Sequence, residues 1–200
     1  MKNIMLIINT IYFLSTQVYA DDLKSQILSM KEQAELRDQF LKDRMKTVLP
    51  QIMERTEVDM WIIIAREYNE DPVLRTMLPA TWLNARRRTI LVIYNPGRNM
   101  PLETFAIARY DVGKIFKKAW DPEDNPDQYG ALAELINAKN PTKIALNQSK
   151  HFAQADGLTA TELQLFKKSL PRKMIKRIVS AEQLAIGWLE TRSELEMDYY

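Results

Sequence analysis

Apolar residues recur every three or four positions from Leu36 onwards, in the first part of the chain. This spacing is typical of a helix that buries one stripe against a core. The stripe consists of Leu36, Phe40, Leu41, Met45, Val48, Leu49, Ile52 and Met53. Because a proline ring disrupts helical hydrogen bonding, we expect this helix to kink or restart at Pro50.

Three apolar runs rich in β-branched and aromatic residues follow, and they predict strands. The run 58–65 is almost continuously apolar, as expected of a central strand that is covered on both faces. The other two runs span 89–94 and 103–110, each followed by a glycine-containing turn. Residues 114–120 come directly after the second turn. We therefore predict that strands two to four form an antiparallel meander.

Helices and strands alternate in the second half of the chain. Capping patterns predict helices over 125–139 and 159–170, and apolar runs predict short strands over 143–147 and 175–179. Another capping pattern occurs at 180–183. Strands that are separated by helices can pair in parallel. The sequence therefore predicts an α/β domain in which a mixed β-sheet is flanked by helices.

The last ten residues, 191–200, contain another capping pattern, Thr191-Arg192-Ser193-Glu194, followed by apolar and aromatic residues. No glycine or basic last turn follows to end the helix. We expect 191–200 to be the start of a helix that leads out of the domain. A short, frayed terminal helix is the alternative.

The first twenty residues have the pattern of a secretory signal peptide. Lys2 precedes an apolar stretch from Ile4 to Leu14, and the segment ends at Ala20. A membrane anchor is the alternative, but the stretch is shorter than the roughly 20 residues that a spanning helix needs. We therefore expect cleavage of residues 1–20 and export of the mature domain to the periplasm or medium, with no membrane association after cleavage.

The composition excludes several kinds of chemistry. The chain has 200 residues, with 28 Lys and Arg, 26 Asp and Glu, one His and no Cys, and a formal net charge of +2. This small, evenly spread charge argues against nucleic-acid binding. One histidine and no cysteine exclude multi-histidine and cysteine-rich zinc sites. The five glycines lie at least 16 positions apart, whereas phosphate-binding loops need glycines within roughly five residues.

Two polar segments are candidates for binding or catalysis. His151 lies in a polar loop, but a general base or metal ligand needs a positioned partner. A loop histidine with one or two hydrogen bonds is the simpler interpretation. The run Arg86-Arg87-Arg88 precedes a predicted strand and could hold a carboxylate or phosphate. A solvated basic corner is simpler here as well, because charge runs usually mark exposed faces.

Three carboxylates, Glu67, Glu70 and Asp71, follow the first predicted strand. Open α/β sheets bind ligands at the carboxyl ends of their strands. These side chains are therefore candidates for a divalent-cation site like that of ribonuclease-H-like hydrolases. Such a site needs three or four convergent carboxylates, and spacing alone does not establish convergence.

Three tryptophans have different expected roles. Trp61 lies within an apolar run and is expected in the core. Trp120 and Trp188 are large, rigid side chains that suit an interface with another domain or subunit. Core packing is the alternative for both.

Five stretches of the chain carry a family resemblance, namely 49–53, 58–72, 85–90, 155–159 and 180–192. Together they resemble the amino-terminal domain of exported bacterial Xaa-Pro aminopeptidases of the creatinase and prolidase family. The resemblance covers essentially the whole mature chain. It implies a ribonuclease-H-like α/β domain over 21–190, and it implies that 191–200 begins the linker helix to a second, pita-bread domain.

In that family the second domain performs the peptidase chemistry. Two Asp, one His and two Glu bind a pair of divalent metals, usually manganese, cobalt or zinc, which activate water for attack on the bond before proline. No residue of that site matches a position in this chain, so no catalytic, cofactor-binding or metal-ligating residue is assigned. The resemblance implies a non-catalytic domain, truncated or a fragment and inactive alone, that serves in oligomerisation and active-site shaping of a secreted metallopeptidase.

Two alternatives stay open. The domain could be a stand-alone interaction module that docks to an intact homologue through Trp120, Trp188 and the terminal helix. It could also be a carboxylate–metal hydrolase that uses Glu67, Glu70 or Asp71. The expected partner is a second copy of the chain or a homologous metallopeptidase subunit, rather than nucleic acid or a membrane.

Overall fold

The computed structural model describes residues 27–97 and 100–200. The predicted signal peptide, residues 1–20, lies outside these ranges, so its cleavage stays a prediction. Of the helices that are described, none is both long and apolar enough to cross a membrane.

The chain divides into two units, 1–36 and 37–200. In the first unit, the Ser29 N–H donates to Glu32 Oε2 at 2.8 Å, and the Glu32 N–H donates to Ser29 Oγ at 3.3 Å. This capping box opens helix α1 (Met30–Thr47), because it satisfies N–H groups that have no helical partner. The second unit holds the β-sheet and every later described element.

The described elements alternate between helix and strand along most of the second unit. After α1 they are α2 (Leu49–Arg55), β1 (Met60–Arg66), α3 (Pro72–Met77), β2 (Arg88–Tyr94), β3 (Glu103–Ile107), β4 (Lys117–Lys118), α4 (Gln128–Lys139), β5 (Ile144–Leu146), α5 (Ala160–Ser169), α6 (Arg172–Ile175), β6 (Ile178–Ser180), α7 (Glu182–Glu190) and α8 (Glu194–Met197), with a 3₁₀ turn at Ala153–Ala155 before α5.

The six strands of the described residues form one sheet in the order β4-β3-β2-β1-β5-β6. The pairs β1–β2 and β2–β3 are antiparallel, whereas β1–β5 and β5–β6 are parallel. The protein is therefore α/β, with a mixed sheet flanked by helices, as the sequence predicts.

Both faces of the sheet are covered, because alternate residues of β1 pack into different clusters. On one face, Trp61 and Ile63 pack with residues of α1, α2, α3 and α7. On the other face, Ile62 and Ile64 pack with residues of α4, α5 and α6. The prediction of a central, doubly covered strand is confirmed.

The helix restarts at Pro50, as predicted. Helix α1 ends at Thr47 and α2 begins at Leu49, so Pro50 lies in the first turn of α2. Backbone N–H groups in the first turn of a helix have no helical acceptor. Proline, which has no N–H, therefore loses no hydrogen bond there, and the first turn is its favoured place in a helix.

The predicted antiparallel meander is wrong at its last strand. Strand β4 pairs with β3 in parallel, with Phe105 opposite Lys117 and Ala106 opposite Lys118. The reason is a small bridge between Val112 and Phe116, whose backbone groups bond each other in antiparallel fashion. This extra reversal returns the chain to the direction of β3 before β4 begins.

Two other boundaries differ from the predictions. The strand expected over 175–179 is Ile178–Ser180, because residues from Arg172 first form α6, whose Met174 is buried in the core. Helix α4 has Asp127 as its N-cap, two residues beyond the expected cap, and its side chain accepts from the Gly130 N–H at 2.9 Å.

The terminal helix α8 also begins later than expected. Its N-cap is Ser193, which exchanges hydrogen bonds with Glu196 at 2.8 and 3.3 Å in a capping box. The Glu196 carboxylate also accepts from Arg44 Nη1 at 3.2 Å. These contacts hold α8 against α1.

Candidate functional site

Several loops meet at one edge of the sheet. Arg66, at the end of β1, lies opposite Arg88, at the start of β2. Ile107, at the end of β3, lies opposite Ile90. Strand β5 runs parallel to β1 and ends opposite Ile62, so the chain that follows it continues towards the same edge. Open α/β sheets usually bind ligands at the edge where the carboxyl ends of their strands lie. The loops at this edge are therefore candidates for a binding site.

Cationic and aromatic side chains line a cavity of about 220 Å³ at this edge. We call this group, together with the amide of Gln128, the arginine edge; its other members are Trp82, Arg86, Arg87, Arg88, Arg109, Tyr110 and Trp120. Guanidinium groups bind carboxylates and phosphates through paired N–H groups, and aromatic rings hold guanidinium groups by cation–π attraction. This combination suits an anionic ligand.

Arg86 is an exposed cation of the arginine edge. Its guanidinium carbon lies 4.2 Å from the centroid of the Trp82 ring and 5.7 Å from that of Tyr110. Its backbone is held by Thr89, whose Oγ1 accepts from the Arg86 N–H at 3.3 Å and donates to the Arg86 carbonyl at 3.2 Å. Among the described residues, no carboxylate lies within 4.0 Å of the guanidinium. Arg86 therefore presents a positioned, uncompensated charge.

Arg87 fastens two loops of this edge together. The Glu67 N–H donates to the Arg87 carbonyl at 2.5 Å, and the Arg87 N–H donates to Glu67 Oε2 at 3.0 Å. These bonds hold Arg87 at a φ of +52°, which is uncommon for a residue with a side chain. Glu67 thus has a structural partner.

Glu162 carries a buried carboxylate beneath the arginine edge, at the third position of α5. Its Oε2 lies 2.7 Å from Arg88 Nε and accepts from the Tyr129 hydroxyl at 2.5 Å. Its Oε1 lies 3.8 Å from Arg66 Nε. Burial, together with the hydrogen bond to Glu162, raises the pKa of Tyr129, so the hydroxyl stays a proton donor. The cluster fixes Arg88 at the inner wall of the cavity.

Gln128 connects this cluster to the sheet. Its Nε2 donates to the Ile107 carbonyl at 2.6 Å and to the Arg88 carbonyl at 3.2 Å. These bonds tie the first residue of α4 to the start of β2 and the end of β3. The inner wall of the arginine edge is therefore built on strands and a helix, which position side chains more firmly than loops do.

Asp71 forms a second buried polar network at the same edge. Its Oδ1 accepts from the N–H groups of Val73 and Leu74 at 2.8 and 3.1 Å and so caps α3. Asn147 Nδ2 donates to both Asp71 oxygens at 3.0 and 2.9 Å, and Asn147 Oδ1 accepts from Trp61 Nε1 at 2.8 Å. The network joins Trp61 of β1 and the residue after β5 to the start of α3.

The stability contribution of Asp71 depends on pH. Burial raises its pKa above the ordinary value of 3.8, against the hydrogen bonds from Asn147 and the backbone. The folded state therefore holds the proton more tightly, so this contribution is full below pH 3.8 and is lost as the pH rises through the folded pKa. As the pH rises through the folded pKa, we expect the unfolding free energy of the native chain to fall relative to that of Asp71→Asn. At higher pH the difference between the two proteins should become constant.

Urea unfolding of both proteins from about pH 3.5 to about pH 7 measures this difference. The substitution removes the titrating group and changes few atoms. The titration of the other carboxylates therefore contributes equally to both proteins and cancels in the comparison. A relative stability that rises with pH would contradict the argument.

His151 lies exposed in the loop after β5. Its backbone N–H donates to Ser149 Oγ at 3.1 Å, which is an ordinary loop contact. Among the described residues, no hydrogen bond reaches the imidazole ring. The structure does not bring His151 into the arginine edge.

The tryptophans divide between the core and the site. Trp61 is fully buried, as predicted. Trp188 is only 1% exposed and donates to Thr76 Oγ1 at 2.7 Å, so the interpretation of Trp188 as an interface anchor is wrong. Trp120 is half-buried, lines the arginine edge, and donates to the Asn125 carbonyl at 2.7 Å.

The three candidate carboxylates each have a different local partner. Glu67 accepts from Arg87, Asp71 caps α3, and Glu70 Oε1 accepts from the Tyr68 N–H at 3.1 Å. Within 27–97 and 100–200, no three His, Cys, Asp or Glu side chains form a group that could hold a metal ion. The described residues therefore do not fit the metal pair of the resembled family, and we derive no metal-dependent step for this domain.

The sequence did not predict the ion pairs of Glu162, because the capping pattern Thr159-Ala160-Thr161-Glu162 accounts for this residue as part of a helix start. Thr159 does cap α5, since its Oγ1 accepts from the Glu162 N–H at 3.3 Å. The carboxylate, however, turns to Arg88 and Tyr129. One signal was available: Glu162 lies four residues before Phe166, so both side chains share the buried face of the helix.

Comparisons with known proteins add no relative. No protein-family model matches this chain, and neither a curated protein nor a solved structure matches it. The features of the chain that bear on its function are therefore the five sequence stretches and the geometry of the arginine edge.

Proposed function

We propose that this chain is a non-catalytic domain of the ribonuclease-H-like creatinase/prolidase type, which docks to a metallopeptidase subunit and helps to shape the mouth of its active site. The five sequence stretches and the mixed sheet with helices on both faces support this proposal. The proposal includes export, because residues 1–20 have the signal-peptide pattern.

The observation that carries the proposal is the arrangement of Arg86 against Trp82 and Tyr110. Arginine, tryptophan and tyrosine are the residues that contribute most often to binding energy at protein interfaces. Because the rings already hold the guanidinium, binding a partner carboxylate requires little further ordering. The docking surface in this proposal is the arginine edge, and its ligand is a carboxylate on the catalytic subunit.

Arg86→Ala should weaken association with a catalytic subunit about tenfold, the effect of losing one interface anchor. The probe is a purified bacterial Xaa-Pro aminopeptidase of the exported type, and sedimentation velocity measures its complex with the chain. Arg172→Ala is the matched control, because Arg172 is exposed on α6 and is not part of the arginine edge. Absence of a complex with the native chain would overturn the proposal, as would equal weakening by both substitutions.

The chain alone should release no amino acid from an Xaa-Pro dipeptide in the presence of Mn²⁺. The expectation follows from the described residues, among which no three His, Cys, Asp or Glu side chains form a group that could hold a metal ion. An amino-acid release assay with the purified chain measures this, and the aminopeptidase is its positive control. Manganese-dependent release that copurifies with the chain would falsify the proposal of a non-catalytic domain.

A further inference from the structure

A larger cavity lies on the opposite face of the sheet from Glu162. Its volume is about 550 Å³, within the range of roughly 300–1,000 Å³ that is usual for small-molecule sites. It lies between α1, the end of α3 and the connection from β3 to β4. We call it the lysine groove and define it by Lys42, Lys46, Leu102, Lys114 and Ile115. None of these residues belongs to the arginine edge.

The interior of the lysine groove is apolar. Leu102 and Ile115 are half-buried there, beside Met45 of α1. The polar groups on its walls already have partners within the protein. Asp38 Oδ1 accepts from the Ala80 N–H at 2.7 Å, and Thr104 Oγ1 donates to the Ile115 carbonyl at 2.7 Å. An occupant therefore meets mainly hydrocarbon inside the cavity.

The rim of the groove is cationic. Lys42 and Lys46 lie four residues apart on α1 and so share one face of the helix, and Lys114 comes from the connection between β3 and β4. All three are exposed. In the part of the chain that the structure describes, no carboxylate lies within 4.0 Å of their ammonium groups. The groove thus combines an apolar interior with positive charge at its mouth.

We propose that the lysine groove binds a free long-chain alkyl carboxylate, a ligand of the fatty-acid type. The alkyl chain lies against Leu102, Ile115 and Met45, and the carboxylate lies among the rim lysines. Burial of the chain drives binding, and the charge pairing selects an anion over a neutral or cationic amphiphile. This site is independent of the arginine edge and of the proposed docking function.

Calorimetric titration with sodium dodecanoate, kept below its micelle concentration, tests the proposal. We expect one site with a dissociation constant on the order of 10–100 µM for a ligand of this size. Dodecyltrimethylammonium, which has the same chain and the opposite charge, should bind at least about tenfold more weakly. Acetate, which has the charge without the chain, should not bind. Equal affinity for the anion and the cation, or no binding of dodecanoate, would overturn the proposal.

Charge reversal at the rim locates the site. Lys42→Glu/Lys46→Glu should weaken dodecanoate binding at least about tenfold. Lys167→Glu/Lys168→Glu is the matched control, because this exposed pair lies near the end of α5 and does not line the groove. Lys114→Glu tests the same rim from a loop and leaves α1 unchanged. If only the control pair weakens binding, or if none of the three variants does, dodecanoate binds elsewhere and the proposal is overturned.

A filled groove gives a measurement that does not depend on charge. Leu102→Trp should occupy part of the cavity and weaken dodecanoate binding about tenfold, while circular dichroism confirms the native fold. A sedimentation assay with vesicles of anionic phosphatidylglycerol distinguishes a membrane surface as the occupant. Vesicle binding without dodecanoate binding would overturn the proposal in favour of a lipid surface.

Discussion

Glu162→Leu should lower the free energy of unfolding by about 3 kcal/mol, because it removes the anion from a buried ion cluster. The Arg88 side chain is only 29% exposed, so its charge would lose its pairing in a poorly solvated position. The Tyr129 hydroxyl would lose its carboxylate acceptor as well. Arg66 adds little, because its side chain is 56% exposed and can turn to solvent.

Guanidinium chloride unfolding of the purified variants measures this effect. Glu134→Leu is the matched control, because Glu134 is an exposed residue of helix α4 and should change stability by no more than about 0.5 kcal/mol. Adding Arg88→Leu to Glu162→Leu should restore part of the loss, because it removes the unpaired cation. A loss below about 1 kcal/mol for Glu162→Leu would contradict the argument.

The same cluster links stability to the proposed function. Glu162 does not face a partner, but it sets the position of Arg88 in the inner wall of the arginine edge. Arg88→Leu/Glu162→Leu therefore separates the two roles, since it can be stable and still present a changed edge. We expect Glu162 to be a positioning residue whose loss affects docking through Arg88.

Local patterns were sufficient to predict most of the fold. The apolar run at 58–65 identified the central strand, because a strand covered on both faces has no polar alternation. Pro50 identified the helix restart, and the strands after residue 140 were correctly expected to pair in parallel. Each of these features depends on residues that lie close together in the sequence.

The features that the sequence did not predict depend on distant contacts or on competition between nearby caps. Glu162 and Arg88 are 74 positions apart, and no local rule connects them. Near the chain end, Thr191 and Ser193 both precede residues that suit a helix, and the structure selects Ser193 because Glu196 can close the capping box there. The direction of β4 depends on a single bridge, Val112 with Phe116, which has no distinctive sequence pattern.

The arginine edge was predicted only in part. The run Arg86-Arg87-Arg88 was recognised as a possible anion site, but the three side chains have different roles in the structure. Arg88 is neutralised by Glu162, and Arg87 fastens a loop through its backbone. Arg86 lies against the Trp82 and Tyr110 rings, and among the described residues no carboxylate lies within 4.0 Å of its guanidinium. A run of like charges does not show which member is paired, because the partner comes from another element.

Gly157→Ala should lower the free energy of unfolding by about 3–5 kcal/mol, the combined effect of overpacking and broken buried hydrogen bonds. A Cβ at this position would overlap the Asp71 carboxylate and would lie 2.8 Å from the Asp71 Cα. The loop cannot simply move away, because the Leu158 N–H donates to the Asn147 carbonyl at 3.0 Å. The added methyl group would therefore displace the carboxylate that caps α3 and binds Asn147. For a domain of this size, such a loss corresponds to a fall in melting temperature of roughly 10 °C.

Two further substitutions separate this steric effect from a general cost of losing a glycine. Gly97→Ala adds a methyl group at a φ of +72°, and among the described residues no atom outside its chain neighbours lies within 4 Å of the added carbon. It should therefore cost only the roughly 1–2 kcal/mol of left-handed backbone strain. Asp71→Ala removes two of the three atoms that a Cβ at Gly157 would meet. The double substitution Asp71→Ala/Gly157→Ala should therefore be less harmful than the sum of the single ones, by about 1–3 kcal/mol in a double-mutant cycle measured by urea unfolding. Additive effects would show that Gly157 acts independently of Asp71, and the close approach of this loop to the α3 cap would then not explain the glycine.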